Sequence, residues 1–140
     1  MTLQARTPED LVAVAQLLET VDLPAKGLDR TEGWVIREEG RVLGHVALEL
    51  TPDAAVIRSL VVASSQRGRG LARRLMEAAE ARAGGRAIVL RTATIGPWVL
   101  RRGYVPAGRE QLPASVLGTS QFEGSLCSGY PIYLKGSAGS

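Results

Sequence analysis

The chain has 140 residues, which is enough for one domain with a hydrophobic core and too few for two. Hydrophobic residues make up 45% of it and charged residues 22%, which lies in the globular range and argues against a disordered chain. The formal net charge of +3 reflects 17 basic against 14 acidic residues, a balance that argues against a nucleic-acid partner.

Cysteine content and hydropathy set further limits. A single cysteine excludes an internal disulfide and leaves no cysteine cluster for zinc, so we expect no metal site. No apolar run reaches membrane-spanning length and the start of the chain is not a secretion signal, so we expect no membrane partner and a cytoplasmic location. Residues 136–140 have the composition of a flexible tail, which leaves residues 1–135 as a single predicted domain.

The first half of the chain predicts a strand, a helix and an antiparallel meander. Residues 2–6 form the strand, and a helix follows from a cap at Thr7 to about Val21 because apolar residues recur there at helical spacing. Residues 22–29 are a loop or a short second helix. Strands are predicted at 34–38, 41–50 and 54–62, the first two joined by a tight turn at Glu39-Gly40.

The second half predicts alternating helices and strands. A helix covers residues 71–83, and the strand at 87–91 runs parallel to its predecessor because a helical crossover joins them. A short helix at 98–102, a strand that opens at Tyr104 and a loop with a helical turn at 111–119 follow. A last strand at 130–135 closes the sheet.

A glycine-rich turn separates the strand at 54–62 from the helix at 71–83, with the sequence Arg67-Gly68-Arg69-Gly70-Leu71-Ala72. Strand, glycine turn and helix together present unpaired backbone N–H groups and the positive end of a helix dipole to an anion. The alternative is that the glycines only turn the chain. A Walker loop is excluded because no Gly-Lys-Ser/Thr follows, and Arg73 replaces the third glycine of a dinucleotide fingerprint.

The spacing Arg67-x-x-Gly70-x-Ala72 after an apolar strand resembles the acetyl-CoA pyrophosphate loop of the GNAT N-acetyltransferases. Residues 98–104, Trp-Val-Leu-Arg-Arg-Gly-Tyr, resemble a second motif of that family, and the element order is similar from end to end. The resemblance implies an α/β (α+β) GNAT fold, with a mixed, mostly antiparallel central sheet splayed at the cofactor site and helices on both faces. It also implies an acetyl-CoA-dependent N-acetyltransferase with no metal.

The same resemblance implies where the cofactor binds. The backbone of the last strand residues before the turn pairs with the pantetheine arm, and the turn and the first helical residues wrap the pyrophosphate. The implied cofactor-binding residues are Leu60, Val61, Val62, Arg67, Gly68, Arg69, Gly70, Leu71, Ala72 and Arg73.

A narrower likeness concerns the acceptor. The fragments Leu23-Pro24-x-x-Gly27-Leu28 and Ser125-Leu126-Cys127, among others, resemble the short amino-acid N-acetyltransferases, which include the arsenic-resistance enzymes and the acetyltransferase domain of N-acetylglutamate synthase. That likeness implies a small amine as partner, an amino acid or amino-acid-like compound, acetylated by direct transfer in a ternary complex. The alternatives are a peptide or protein N-acetyltransferase and a non-catalytic acetyl-CoA-binding module. The sequence leaves open whether the protein forms a homodimer.

Two charged residues inside predicted strands are candidates for the chemistry. A charge in a central strand is costly unless it is paired or faces a cavity. If the turn through Pro52 places Glu49 opposite Val56, then Glu49 and Arg58 lie on one sheet face, one diagonal apart. The functional interpretation makes Glu49 the general base and Arg58 the clamp for a substrate carboxylate. The alternative is a structural ion pair.

The remaining candidates are less specific. His45 is the only histidine and shares strand parity with Glu49, and its reference pKa of about 6.5 suits a base, although a structural role is the alternative. Many GNAT enzymes place a tyrosine general acid where this chain has Val99. The acid is therefore unassigned between Tyr130, Tyr133, Ser65 and a bound water.

Overall fold

The structure, a computed structural model, describes residues 1–123 and 129–136. Its helices and strands follow the predicted order. They are β1 (Thr2–Ala5), α1 (Leu11–Glu19), β2 (Glu32–Glu38), β3 (Arg41–Leu50), β4 (Ala54–Val62), α2 (Leu71–Ala83), β5 (Ala87–Arg91), α3 (Gly96–Arg101), β6 (Val105–Ala107) and β7 (Ile132–Lys135).

The seven strands form one sheet in the order β1-β2-β3-β4-β5-β7-β6. The β4–β5 pair is parallel, and β1–β2, β2–β3, β5–β7 and β6–β7 are antiparallel, which confirms the mixed, mostly antiparallel sheet. The last strand differs from expectation because β7 lies inside the sheet, between β5 and β6. The edge belongs to β6, a three-residue strand with Pro106 at its centre, and proline suits an edge because it has no N–H to donate.

The described residues divide into two compact units. The first unit comprises Met1–Leu48 and Ser59–Arg82, and the second comprises Glu49–Arg58 and the described part of Ala83–Ser140. The expectation of a single domain over residues 1–135 stays a prediction. Of the predicted tail at 136–140, only Gly136 is among the described residues.

The first unit carries helices on both faces of its strands. From α1, Val14 and Leu18 pack in one cluster with Val35 and Ala47. On the other face α2 approaches Gly44, where an added Cβ would lie 3.1 Å from Leu75 Cδ1. Residues 44 and 47 of β3 point to opposite faces because side chains alternate along a strand, so the expected helices on both faces are confirmed.

The start of α1 depends on a local capping arrangement. The Thr7 backbone N–H donates to Asp10 Oδ2 at 2.8 Å, and the first turn, Pro8–Asp10, is a 3₁₀ turn. Arg37 donates to the same oxygen at 2.6 Å. Burial by itself would raise the pKa of Asp10, and the hydrogen bonds from Arg37 and Thr7 outweigh it and lower that pKa.

The second unit has its own apolar core. The ladder of β4 with β5 pairs Ala54–Ile57 with Ala87–Leu90. A 3₁₀ turn at Ala114–Gly118 lies within the predicted loop with a helical turn, and its Val116 packs in a cluster with Ala54, Val56, Val89, Phe122 and Ile132. The predicted helix at 98–102 is displaced to Gly96–Arg101, because Pro97 is tolerated in a first helical turn.

Candidate functional site

The glycine turn of the first unit has a backbone that only glycine adopts readily. Gly68 has φ +82° and Gly70 has φ +76°, and α2 begins at Leu71, as predicted. A Cβ added at Gly68 would meet no described atom within 4 Å. The turn therefore needs glycine for its conformation rather than to avoid a contact with the described residues.

The charges around this turn favour an anion. Arg67, Arg69 and Arg73 are exposed, and the first turn of α2 contains no acidic residue. The Arg74 N–H donates to the Gly70 carbonyl at 3.1 Å and closes the first turn of the helix. The backbone N–H groups that precede Arg74 in α2 come before this first helical hydrogen bond, and they lie at the positive end of the helix dipole.

A β-bulge in β4 lies upstream of the turn. Ser59 has φ +58°, and β4 uses one residue more than β3 between the bonded pairs Thr51–Ala54 and Leu43–Ala63. The bulge comes directly before Leu60, Val61 and Val62, the three strand residues predicted to pair with the pantetheine arm.

His45 lies beside this bulge and is fully buried. Its Nδ1 is 2.9 Å from the Ser59 carbonyl oxygen, and its Nε2 is 3.0 Å from Nη1 of Arg6. A carbonyl only accepts and a guanidinium only donates, so Nδ1 carries the proton and the lone pair of Nε2 points to Arg6. The structure thus places His45 in the first unit, with both ring nitrogens engaged.

The structure joins Glu49 and Arg58 through a residue that the sequence did not single out. Glu49 Oε1 accepts from the Ser120 N–H at 2.9 Å and from Ser120 Oγ at 2.7 Å, and the same hydroxyl accepts from Arg58 Nη1 at 3.0 Å. Glu49 is half-buried and Arg58 is 4% exposed. In the sequence, Ser120 is marked only by its place in the polar run Thr119-Ser120-Gln121. In the structure these three residues are buried, although they lie in no regular helix or strand.

The general acid stays unassigned. Val99 is fully buried and Tyr104 is 1% exposed, so both belong to the core. An added Cβ at Gly96 would collide with the Tyr133 hydroxyl, which places that hydroxyl against the start of α3. Tyr130 is half-buried and Ser65 is exposed.

Two further features concern only the described residues, 1–123 and 129–136. Among them, no group of three or more His, Cys, Asp or Glu side chains could hold a metal ion. No helix within those ranges is long and apolar enough to cross a membrane. The fragment Ser125-Leu126-Cys127 lies outside the described residues.

Comparison with known proteins decides the family. The model of the acetyltransferase (GNAT) family matches residues 4–97. The chain belongs to the GNAT acetyltransferase family. It is therefore an acetyl-CoA-dependent N-acetyltransferase with acetyl-CoA as co-substrate, which confirms the enzyme class and the cofactor implied by the sequence. No curated protein sequence matches the chain.

Solved structures share the fold. Rv2747 from Mycobacterium tuberculosis, in complex with CoA and NLQ, superposes with a TM-score of 0.78 at 18% identity over 96% of this chain and 98% of that one. An acyl-CoA N-acyltransferase from Pseudomonas aeruginosa has a TM-score of 0.70 at 21% identity, over 96% and 98%.

N-acetylglutamate synthase from Neisseria gonorrhoeae, complexed with coenzyme A and N-acetyl-glutamate, has a TM-score of 0.74 at 17% identity over 96% of this chain. The present chain spans only 35% of the length of that synthase. At these identities the likeness shows the fold and leaves the acceptor to the residues of the site.

Proposed function

We propose that this GNAT enzyme acetylates the amine of a small acceptor that carries a carboxylate, an amino acid or amino-acid-like compound, by direct transfer in a ternary complex. The observation that carries the proposal is the convergence of Glu49 and Arg58 on the Ser120 hydroxyl. One group can accept a proton and the other can pair with an anion, which are the two functions that such an acceptor requires.

Acetyl-CoA binds along Leu60, Val61 and Val62 and at the glycine turn. The turn's positive φ values, its exposed arginines and the N-terminus of α2 all suit a pyrophosphate. The remaining cofactor-binding residues are those implied by the resemblance, from Arg67 to Arg73.

In the reaction, the acceptor nitrogen attacks the thioester carbonyl, a C–N bond forms, and the C–S bond breaks as the CoA thiolate leaves. The proton released by the amine goes to Glu49, directly or through a water. Ser120 supports this role because its N–H and hydroxyl both hold Glu49 Oε1 and so orient the carboxylate. The thiolate needs little help to leave near neutral pH, since a free thiol titrates at about 8.5.

Arg58 binds the acceptor carboxylate. Arg58 Nη1 donates to Ser120 Oγ at 3.0 Å, and a carboxylate matches the fork geometry of its guanidinium. The likeness to amino-acid N-acetyltransferases supports the same class of acceptor. The competing interpretation is a structural ion pair between Glu49 and Arg58. In that case, substitution of Arg58 would lower the stability of the protein rather than its affinity for the acceptor.

The test measures thiol release from acetyl-CoA with a panel of amino acids, each beside its carboxamide, and with short peptides. The amide keeps the α-amine and removes only the anionic carboxylate. We expect turnover of one or more amino acids and a kcat/KM at least about tenfold lower for the matching amide, equivalent to about 1.4 kcal/mol. Equal rates for acid and amide, or a preference for peptides, would contradict the proposal.

A further inference from the structure

A chain of hydrogen bonds in the first unit connects the loop before β2 to the bulge of β4. Arg6, just after β1, donates through Nη2 to the Leu28 carbonyl at 3.0 Å, to the Thr31 carbonyl at 2.7 Å and to Thr31 Oγ1 at 3.0 Å. Through Nη1 it reaches His45 Nε2, and His45 Nδ1 donates to the Ser59 carbonyl. One guanidinium and one imidazole therefore span two segments that are distant in sequence.

The loop end of this connection is built to accept the arginine. Gly27 has φ +86° and starts the 3₁₀ turn Leu28–Arg30, and Thr31 Oγ1 donates back to the Leu28 carbonyl at 2.6 Å. An added Cβ at Gly33 would lie 2.7 Å from Arg6 Nη1, so the glycine leaves room for the guanidinium to pass. Burial lowers the pKa of Arg6, and the nearby Asp10 charge opposes that shift.

The strand end of the connection has a strained residue. Ser59 is a non-glycine residue at φ +58°, a strained conformation that persists only where the surroundings hold it. The bulge turns the Ser59 carbonyl toward His45, which satisfies it inside the core. The backbone that follows is Leu60–Val62, the proposed pantetheine-binding segment.

We propose that Arg6 and His45 are positioning residues for acetyl-CoA, which hold the bulge at Ser59 and tie it to the loop at Leu28–Thr31. His45 orients the peptide groups of Leu60–Val62, and Arg6 orients His45. This inference rests on the proposed binding of the cofactor along β4, and it assigns to His45 a role other than the base that its residue type suggests. Its Nε2 lone pair is directed at Arg6, so a proton there would oppose the guanidinium.

Two amide substitutions separate the two bonds of the imidazole. In His45→Asn the amide nitrogen can replace Nδ1 as donor to the Ser59 carbonyl, and in His45→Gln the amide oxygen can replace Nε2 as acceptor from Arg6. Each variant loses one buried hydrogen bond, so we expect similar decreases in melting temperature. We expect the acetyl-CoA KM of His45→Gln to exceed that of His45→Asn by about tenfold, with the kcat of the two variants within a few-fold of each other.

The opposite results are equally specific. Equal acetyl-CoA KM values for the two folded variants would overturn the positioning role. So would a large loss of kcat in both variants with KM unchanged, which is the signature of a lost base. Calorimetric titration of the unsubstituted enzyme with CoA is done first. Failure to bind CoA there rejects the proposed cofactor site, and normal binding with equal KM values rejects only the further inference.

Arg6→Lys provides the second test, which does not depend on the folding of the His45 variants. Lysine keeps the charge and loses the fork that reaches Leu28, Thr31 and His45 together. We expect the acetyl-CoA KM to rise about tenfold. The matched control is Arg82→Lys, at the exposed ion pair of the same unit with Glu32, where no change in KM is expected. An unchanged KM in folded Arg6→Lys would contradict the proposal.

Discussion

The glycine turn and the Ser120 cluster, defined as Glu49, Arg58 and Ser120, show two ways of building a site. The turn is contiguous in sequence, and its geometry follows from glycines at positive φ and from the start of a helix. In the cluster, the Ser120 hydroxyl joins Glu49, which is 71 positions away in sequence, to Arg58, which is 62 positions away. A site that is contiguous in sequence can be recognised from the spacing of its residues. A site assembled from residues far apart in sequence depends on strand register and on which loop packs against the strands.

The largest effect is expected at the cluster, in Glu49→Gln. The substitution keeps the shape and removes the proton acceptor, so kcat should fall by about 10²–10⁴-fold, the usual contribution of a general base. Acetyl-CoA affinity should stay the same, and the pH profile of kcat/KM should lose its acidic limb. Steady-state kinetics across pH and a CoA titration check both points. Retention of most of kcat would make solvent the proton acceptor and remove Glu49 from the mechanism.

The glycine turn is tested by two substitutions at Gly70. Aspartate and asparagine have the same shape and both tolerate the left-handed region better than most residues, so the backbone strain is nearly matched. Gly70→Asp adds a negative charge where the pyrophosphate is proposed to bind, and it should weaken CoA binding well over tenfold, more than about 1.4 kcal/mol. Gly70→Asn should weaken it less. Equal affinities of the two folded variants, measured by calorimetry, would argue against an anion at this turn.

Within the cluster, Arg58 and Ser120 are expected to affect the reaction to different degrees. Arg58→Ala should raise the acceptor KM about tenfold or more while the acetyl-CoA KM changes little, because only the acceptor carries the proposed carboxylate partner. Ser120→Ala removes the bridging hydroxyl but keeps the backbone N–H to Glu49, so a smaller change in both kcat and acceptor KM is expected. If Arg58→Ala moves both KM values together, or only the melting temperature, Arg58 has a structural role.

The smallest effect concerns stability at Asp10, which combines a local and a distant partner. Asp10→Asn weakens the bonds from Thr7 and Arg37 and should cost about 1 kcal/mol of unfolding free energy. The pKa of Asp10 is lowered below its ordinary value of 3.8, so this stability is present above that value and is lost as pH falls through the folded-state pKa. Denaturation at pH 7 and at low pH should show a difference between the proteins that shrinks on acidification. A difference independent of pH would contradict this account.

Arg37→Gln separates the two partners of Asp10. It removes the distant cation and leaves the local Thr7 bond, so it should destabilise less than Asp10→Asn if the cap dominates. Because Arg37 also donates to Gln4, Arg37→Gln removes more than the bond to Asp10. The double variant, Asp10→Asn with Arg37→Gln, is therefore measured as well. Equal losses in all three variants would assign the effect to the ion pair.

The order of the helices and strands and the position of the glycine turn could be predicted from the sequence, because each follows from short-range chemistry. Helix α2 has its predicted bounds, and the hairpin turn adopts positive φ at Glu39 and Gly40, since periodicity and glycine placement act over a few residues. The family resemblance of the turn could be seen for the same reason.

The tertiary structure alone set the contacts between segments that are distant in sequence. It inserted β7 between β5 and β6, because strand order depends on pairing that no local pattern specifies. It joined Glu49 to Arg58 through Ser120, which has no motif of its own. It also engaged both nitrogens of His45, so that a residue type suited to base chemistry became a bridge between Arg6 and a strained carbonyl. A side chain's type sets which bonds it can make, and packing sets which of them it makes.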